Sequence, residues 1–180
     1  MKGEESLQKK VDTLALKRLS ILSENNEKIP FTSLWEDQQV IIIFIRQFAC
    51  FSCKAHVNKV WEQREKLKNK KIVFIGNGQP YIIKSFKEEL GVQEAPIYTD
   101  PSLEAFEACG LNRGLRYLMN FSSLRDLAIA KKNGYKSNWT EEHGDKTQLG
   151  GIVAFKKPGI LLYHFVSESL MDISDSGEWP

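Results

Sequence analysis

Apolar and polar positions along the chain fall into short blocks with two different periods. Residues 5–23 set Leu7, Val11, Leu14 and Arg18 on one helical face, and Leu16, Leu19 and Ile21 widen the stripe. A polar loop, residues 23–28, follows. Pro30 then keeps residues 29–35 short and extended or irregular. Residues 40–46, VIIIFIR, are β-branched and continuous, the pattern of a strand buried on both faces. Val57, Val60, Trp61, Arg64 and Leu67 give residues 51–68 helical spacing. KIVFIG at 71–76 predicts a second buried strand. Residues 80–90 predict a helix stopped by Gly91, and PIYT at 96–99 a third strand. A further helix is expected over 100–109, with Asp100 as its cap, Pro101 in its first turn and Gly110 at its end.

Residues 111–149 read as an insertion. Leu115, Leu118, Phe121, Leu124, Leu127 and Ala128 have helical spacing broken near Ser122 and Ser123, and residues 133–148 are a polar loop. GIVAFK and GILLYHF follow as two strands. Lys157, Pro158 and Gly159 lie between them, with Pro and Gly suited to the centre of a type II turn. Residues 169–172 predict a helical turn. The fold class is therefore α/β: a central mixed sheet flanked by helices, with an N-terminal helix and a helical insertion before a C-terminal hairpin. The expected organisation is an N-terminal helix and linker (1–28), one domain (29–173) and a frayed tail (174–180).

Composition narrows the function. A chain of 180 residues can bury a sizeable core without disulfide staples. Its formal net charge of +2, without a basic stripe interleaved with aromatics, gives nucleic-acid binding no electrostatic support. No apolar run approaches the roughly 20 residues of a membrane span, and the charged N-terminus lacks a secretory pattern. A cytoplasmic protein with no membrane association is expected. Three cysteines in such a chain point to chemistry or simple burial.

Two of them stand in FIRQFACFSCKAH, residues 44–56. Cys50 falls where the first buried strand passes into a helix, and helix-end amides favour a thiolate over a thiol. Cys53 lies one turn on, with Cα atoms about 5–5.5 Å apart, inside disulfide range. Arg46 at the strand end brings a fixed cation. By position Cys50, nearer the exposed helix end, is the nucleophile. Cys53, more buried and less acidic, is the resolving thiol.

The blocks FIRQFACFSCKAHV, IYTDPSLEAFEACGL and QLGGIVAFKKPGILLYHF together resemble the peroxiredoxin-like subgroup of the AhpC/TSA antioxidant superfamily, which includes the prostamide/prostaglandin F synthase-like proteins. The resemblance runs from about Ile29 to Phe165. It implies a thioredoxin-like fold and thiol-dependent peroxidase or reductase activity. It carries over Arg46, Cys50 and Cys53 as catalytic residues, re-reduced by thioredoxin or a similar dithiol. The chain departs from the usual peroxiredoxin pattern at Ile43 and Gln47, where Pro and Thr are common. Leu149 and Gly150 stand where thioredoxins carry a proline.

The leading reading is reduction of a small peroxide. A protein disulfide reductase using the same pair and a non-catalytic binding module remain as alternatives. No cofactor and no metal are expected. Cys-x2-Cys-x2-His, ending at His56, lacks a near fourth zinc ligand, which only Cys109 or a distant histidine would supply. Cys109 reads as a small core residue, His164 as a half-buried partnered histidine and His143 as a solvated loop residue. Leu115 to Phe121 reads either as core or as one wall of a pocket. Little follows Phe165, so either the N-terminal helix or a second subunit, in a homodimer, covers that sheet face.

Overall fold

The computed structural model describes residues 11–67, 70–115, 139–169, 172, 177 and 179–180. Its frame is a seven-stranded mixed sheet. In chain order the strands are β1 (Ser20–Leu22), β2 (Lys28–Pro30), β3 (Val40–Phe44), β4 (Lys71–Gly76), β5 (Ile97–Thr99), β6 (Gly151–Lys156) and β7 (Ile160–Val166). They lie in the order β2-β1-β5-β4-β3-β6-β7. β3, β4 and β5 are parallel neighbours. β6 joins β3 antiparallel, with Gly151 opposite Phe44, and β7 closes the hairpin.

Central β3 shows why the fold is layered. Val40, Ile42 and Phe44 face one core, and Ile41, Ile43 and Ile45 face the other. Alternation along an extended chain sends neighbouring side chains to opposite faces, so a continuous apolar run needs a layer on each side. The first layer includes α1 (Thr13–Leu16), the 3-10 turn Phe31–Leu34 and α4 (Glu104–Ala108), with Trp35 and Phe106 as large fillers. The second is built on α2 (Phe51–Glu62) and α3 (Ile82–Leu90), through Val57, Val60, Ile83 and Phe86. Gly91 ends α3 at φ 68°, a left-handed conformation that glycine adopts without a Cβ clash.

Several expectations change. Residues 5–23 are not one helix in their described part. Asp12 caps α1 by accepting from the Ala15 amide at 2.9 Å, the helix spans only Thr13–Leu16, and Ser20–Leu22 is a strand. Ile21 is fully buried in a hairpin pairing, whereas Leu14, assigned to the apolar stripe, is 68% exposed. The sheet thus begins before residue 29, so the expected linker already belongs to the domain. The helix expected to 68 ends at Glu62 and tightens into the 3-10 turn Arg64–Leu67. The helix expected from residue 100 starts at Glu104. Leu103, not Asp100, holds the cap position, while the Asp100 carboxylate accepts from the first-turn Ala105 amide at 2.7 Å. The β6–β7 turn is not type II: the Lys157–Pro158 bond is cis, and the Gly159 amide donates to the Lys156 carbonyl at 2.8 Å. The helical pieces expected between Leu118 and Ala128, the Tyr117–Met119 wall and most of the tail lie outside the described residues.

Candidate active site

Cys50 occupies the position immediately before α2, with extended φ and ψ of −76° and 120°. Strand β3 hands the chain to the helix over residues 45–50. Gln47, itself buried, bends this crossing by accepting from the Ala49 amide at 2.7 Å through its side-chain oxygen. Cys53 follows in the first turn of α2. All three cysteines are free thiols.

Cys50 and Cys53 meet. The Cys53 thiol points at the Cys50 sulfur, and this hydrogen bond is the main cause that lowers the Cys50 pKa well below that of an ordinary thiol. Burial opposes it. The Arg46 cation and the Ser52 hydroxyl, whose Oγ lies 3.0 Å from Cys50 Sγ, act in the same direction as Cys53. The Cys53 backbone amide contributes least and makes no full capping hydrogen bond. The thiolate support expected mainly from helix-end amides therefore comes instead from side chains.

The shift on Cys53 is opposite. Donating its proton to Cys50, being buried and facing the Cys50 charge all push its thiol well above the ordinary range. Arg46 and the Gln47 amide oppose this. Exposure does not separate the two: Cys50 is 5% and Cys53 8% accessible, so Cys50 is not the more exposed residue. What distinguishes them is which one holds the proton.

Arg46 stands just beyond β3 on a clamped backbone. Asn77, after β4, donates from Nδ2 to the Arg46 carbonyl at 2.8 Å, and its Oδ1 accepts from the Asp145 amide at 2.9 Å. Phe48 lies over the same corner. A Cβ on Gly76 would fall 2.4 Å from its ring, so only a glycine leaves that seat open. The role of Asn77 escaped sequence reasoning, which took residues 71–76 only as a buried strand. A polar residue directly after a buried strand, level with the cysteine-bearing crossing, was the available signal.

Beside the pair is a cavity of about 30 Å³, lined by Arg46, Ser52, Cys53, His56, Ser167 and Asp172 among others. Gly150 and Gly151 form part of its wall. A Cβ on Gly150 would sit 2.3 Å from the Phe44 carbonyl oxygen, and β6 can approach β3 here only without one. His56, considered from sequence only as a metal ligand, faces this cavity one turn beyond Cys53. Its Nε2 and the Arg46 Nε are buried and have no hydrogen-bond partner among the described residues.

The remaining candidates separate from the site. Cys109 is fully buried in the core on the opposite face of the sheet, and burial pushes its thiol up. His164 Nε2 lies 2.8 Å from the Cys109 carbonyl oxygen, a partnered half-buried histidine. His143 is not a free loop residue: its ring caps a 3-10 turn with Thr140 (Nδ1 to Oγ1, 2.7 Å), and its carbonyl accepts from the Phe48 amide. Among the described residues no three His, Cys, Asp or Glu side chains gather as a metal site, and no helix is long and apolar enough to cross a membrane.

Comparison with known proteins agrees with this geometry. Residues 59–169, more than half of the chain, match the model of the AhpC/TSA antioxidant enzyme family. The match starts inside α2, beyond both cysteines, so the pair is an observation independent of it. Peroxiredoxin-like 2C of Homo sapiens is 24% identical over 149 residues, covering 77% of this chain and 66% of that protein. The prostamide/prostaglandin F synthase of Salmo salar is 29% identical over 154 residues, covering 82% and 75%. Among solved structures, a peroxiredoxin-like protein from Aquifex aeolicus superimposes with a TM-score of 0.58 at 12% identity, over 89% of this chain and 78% of that one. The mitochondrial 2-Cys peroxiredoxin of Plasmodium falciparum gives 0.51 at 13% identity, over 89% and 83%. A thioredoxin-like sheet carrying Cys-x-x-Cys at a strand-to-helix crossing, together with the family match over residues 59–169, places this chain in the AhpC/TSA family as a peroxiredoxin-like protein.

Proposed function

We propose that this chain is a thiol-dependent oxidoreductase that reduces a small peroxide at Cys50. The Cys50 thiolate attacks the distal peroxide oxygen. The O–O bond breaks, Cys50 becomes the sulfenic acid, and the alkoxide or hydroxide leaves and takes up a proton. Cys53 then attacks the Cys50 sulfur, expelling the sulfenic oxygen as water and closing a disulfide. Thioredoxin or another dithiol reduces the disulfide and becomes oxidised in turn. The supporting observation is the asymmetry of the pair: a neighbouring thiol, a guanidinium and a hydroxyl favour the thiolate of Cys50, while its hydrogen bond to Cys50 and its burial favour the thiol of Cys53.

Burial favours a small substrate over a protein disulfide. With 5% and 8% of the two residues accessible, neither sulfur protrudes to meet a protein partner. A cavity of about 30 Å³ has room for a few non-hydrogen atoms, since one water needs roughly 10–15 Å³. A lipid of the kind named for the Salmo salar relative requires it to widen. Re-reduction by a protein dithiol likewise requires the first turn of α2 to open.

The test is a coupled assay with thioredoxin, thioredoxin reductase and NADPH. Peroxide-dependent NADPH oxidation that disappears in Cys50→Ser is expected. Turnover on protein disulfides but not on peroxide supports the disulfide-reductase reading. Alkylation of both thiols no faster than a model thiol supports a binding module.

A further inference from the structure

Cys53 has a chemical problem that the family assignment leaves open. To close the disulfide it must lose its proton, and it is buried away from bulk water when it does so. Once Cys50 is oxidised, the anion that shared the proton is gone. A base must be close by.

The cavity wall offers two. The Asp172 carboxylate is already engaged, with Oδ2 accepting from the Glu168 amide at 2.8 Å. His56 is the other. It follows Cys53 by three residues on α2, a spacing that puts side chains on one helical face with Cβ atoms about 5–6 Å apart. Both line the same small cavity. Nε2 of His56 is buried without a partner among the described residues, an arrangement that costs free energy unless something there uses the nitrogen.

We propose that His56 accepts the Cys53 proton as Cys53 closes the disulfide on Cys50. In balanced form, the Cys53 sulfur attacks the Cys50 sulfur and its proton passes to His56 Nε2. The leaving sulfenic oxygen departs as hydroxide and takes the proton back as water, returning His56 to the neutral state. Burial, and after it Lys59 on the same helix, lower the His56 pKa to about 4, so the ring is unprotonated at neutral pH and, as a weak base, holds the proton only while the sulfur attacks. Arg46, from the end of β3, lines the same cavity. Asp172 is the acidic group on that cavity's wall.

The proposal rests on the Cys50–Cys53 couple, and its test does not need peroxide. One equivalent of methyl methanethiosulfonate places a methylthio group on Cys50. Cys53 then displaces methanethiol, followed by quenched-flow mass spectrometry. In the unaltered protein, closure is expected to vary little between pH 6 and 8. In His56→Gln it is expected to slow at least tenfold at pH 7 and to rise with pH, because Cys53 must then ionise unaided. Thiomethylation of Cys50 should keep its rate. His56→Ala, slowed likewise, should recover on addition of imidazole, which controls for a loss of packing. Unchanged closure in both variants overturns the proposal, as does equal slowing of thiomethylation and closure, or a loss found in Asp172→Asn instead. If His56 governs closure while peroxide leaves Cys50 untouched, the peroxidase reading fails and the role of His56 stands.

Discussion

Ser52 Oγ lies 3.0 Å from Cys50 Sγ, two residues along and itself buried. A hydroxyl in that place donates to a thiolate without adding charge. Loss of one hydrogen bond to a charged group costs about 1.5 kcal/mol, roughly a tenfold shift between thiol and thiolate. In Ser52→Ala the Cys50 ionisation midpoint, followed by thiolate ultraviolet absorbance, should move upward. Ser52→Thr, which keeps the hydroxyl, should restore it. A midpoint unmoved in Ser52→Ala removes the hydroxyl from the account.

Asn77 holds the cationic corner. Its side chain satisfies the Arg46 carbonyl and the Asp145 amide at once and is only 4% accessible. Asn77→Ala leaves both backbone groups unpaired, at a cost of about 1–3 kcal/mol. The urea midpoint should fall accordingly. Because Arg46 loses its anchor, Cys50 should also alkylate more slowly below neutral pH. A fall in stability with unchanged alkylation would show that Arg46 needs no such anchor.

His56 also predicts a pH dependence of stability. An unfolded histidine titrates near 6.5 and the folded one at about 4, depressed mainly by burial and then by Lys59. Between those values the unfolded chain binds the extra proton, so acid favours unfolding. Stability should be unaffected above pH 6.5 and fall on the way down to pH 4, by on the order of 3 kcal/mol in all. Urea unfolding at pH 7, 5.5 and 4 should show this fall in the natural chain and a flatter profile in His56→Gln. Parallel profiles would mean that the ring is solvated.

The buried strands and the Cys-x-x-Cys pair were legible in the sequence because each is a local signal. Residues 40–46 and 71–76 are too apolar and too β-branched to be anything but central strands, and Cys-x-x-Cys sits directly after the first. The N-terminal segment misled because Leu14, Leu16, Leu19 and Ile21 satisfy a helical period by coincidence. What makes Ile21 a strand residue is its hairpin pairing with Ile29 and the anchoring of that hairpin to the sheet through Leu22 and Thr99, the second of which no local window contains. Long-range closure likewise hid Asn77 and His56. Their significance comes from the Arg46 carbonyl and from a cavity completed by residues more than a hundred positions away. The causes acting on Cys50 were not readable from local sequence: the hydrogen bond from Cys53 outweighs the helix-end amide.

The central claim is that Cys50 and Cys53 form one redox couple. Its most direct test is mass spectrometry of the reduced protein after one equivalent of hydrogen peroxide. A loss of about 2 Da, mapping to a peptide that bridges Cys50 and Cys53, is the expected result. A stable gain of oxygen on Cys50 with Cys53 still a free thiol, or a bridge that engages Cys109 instead, would contradict it.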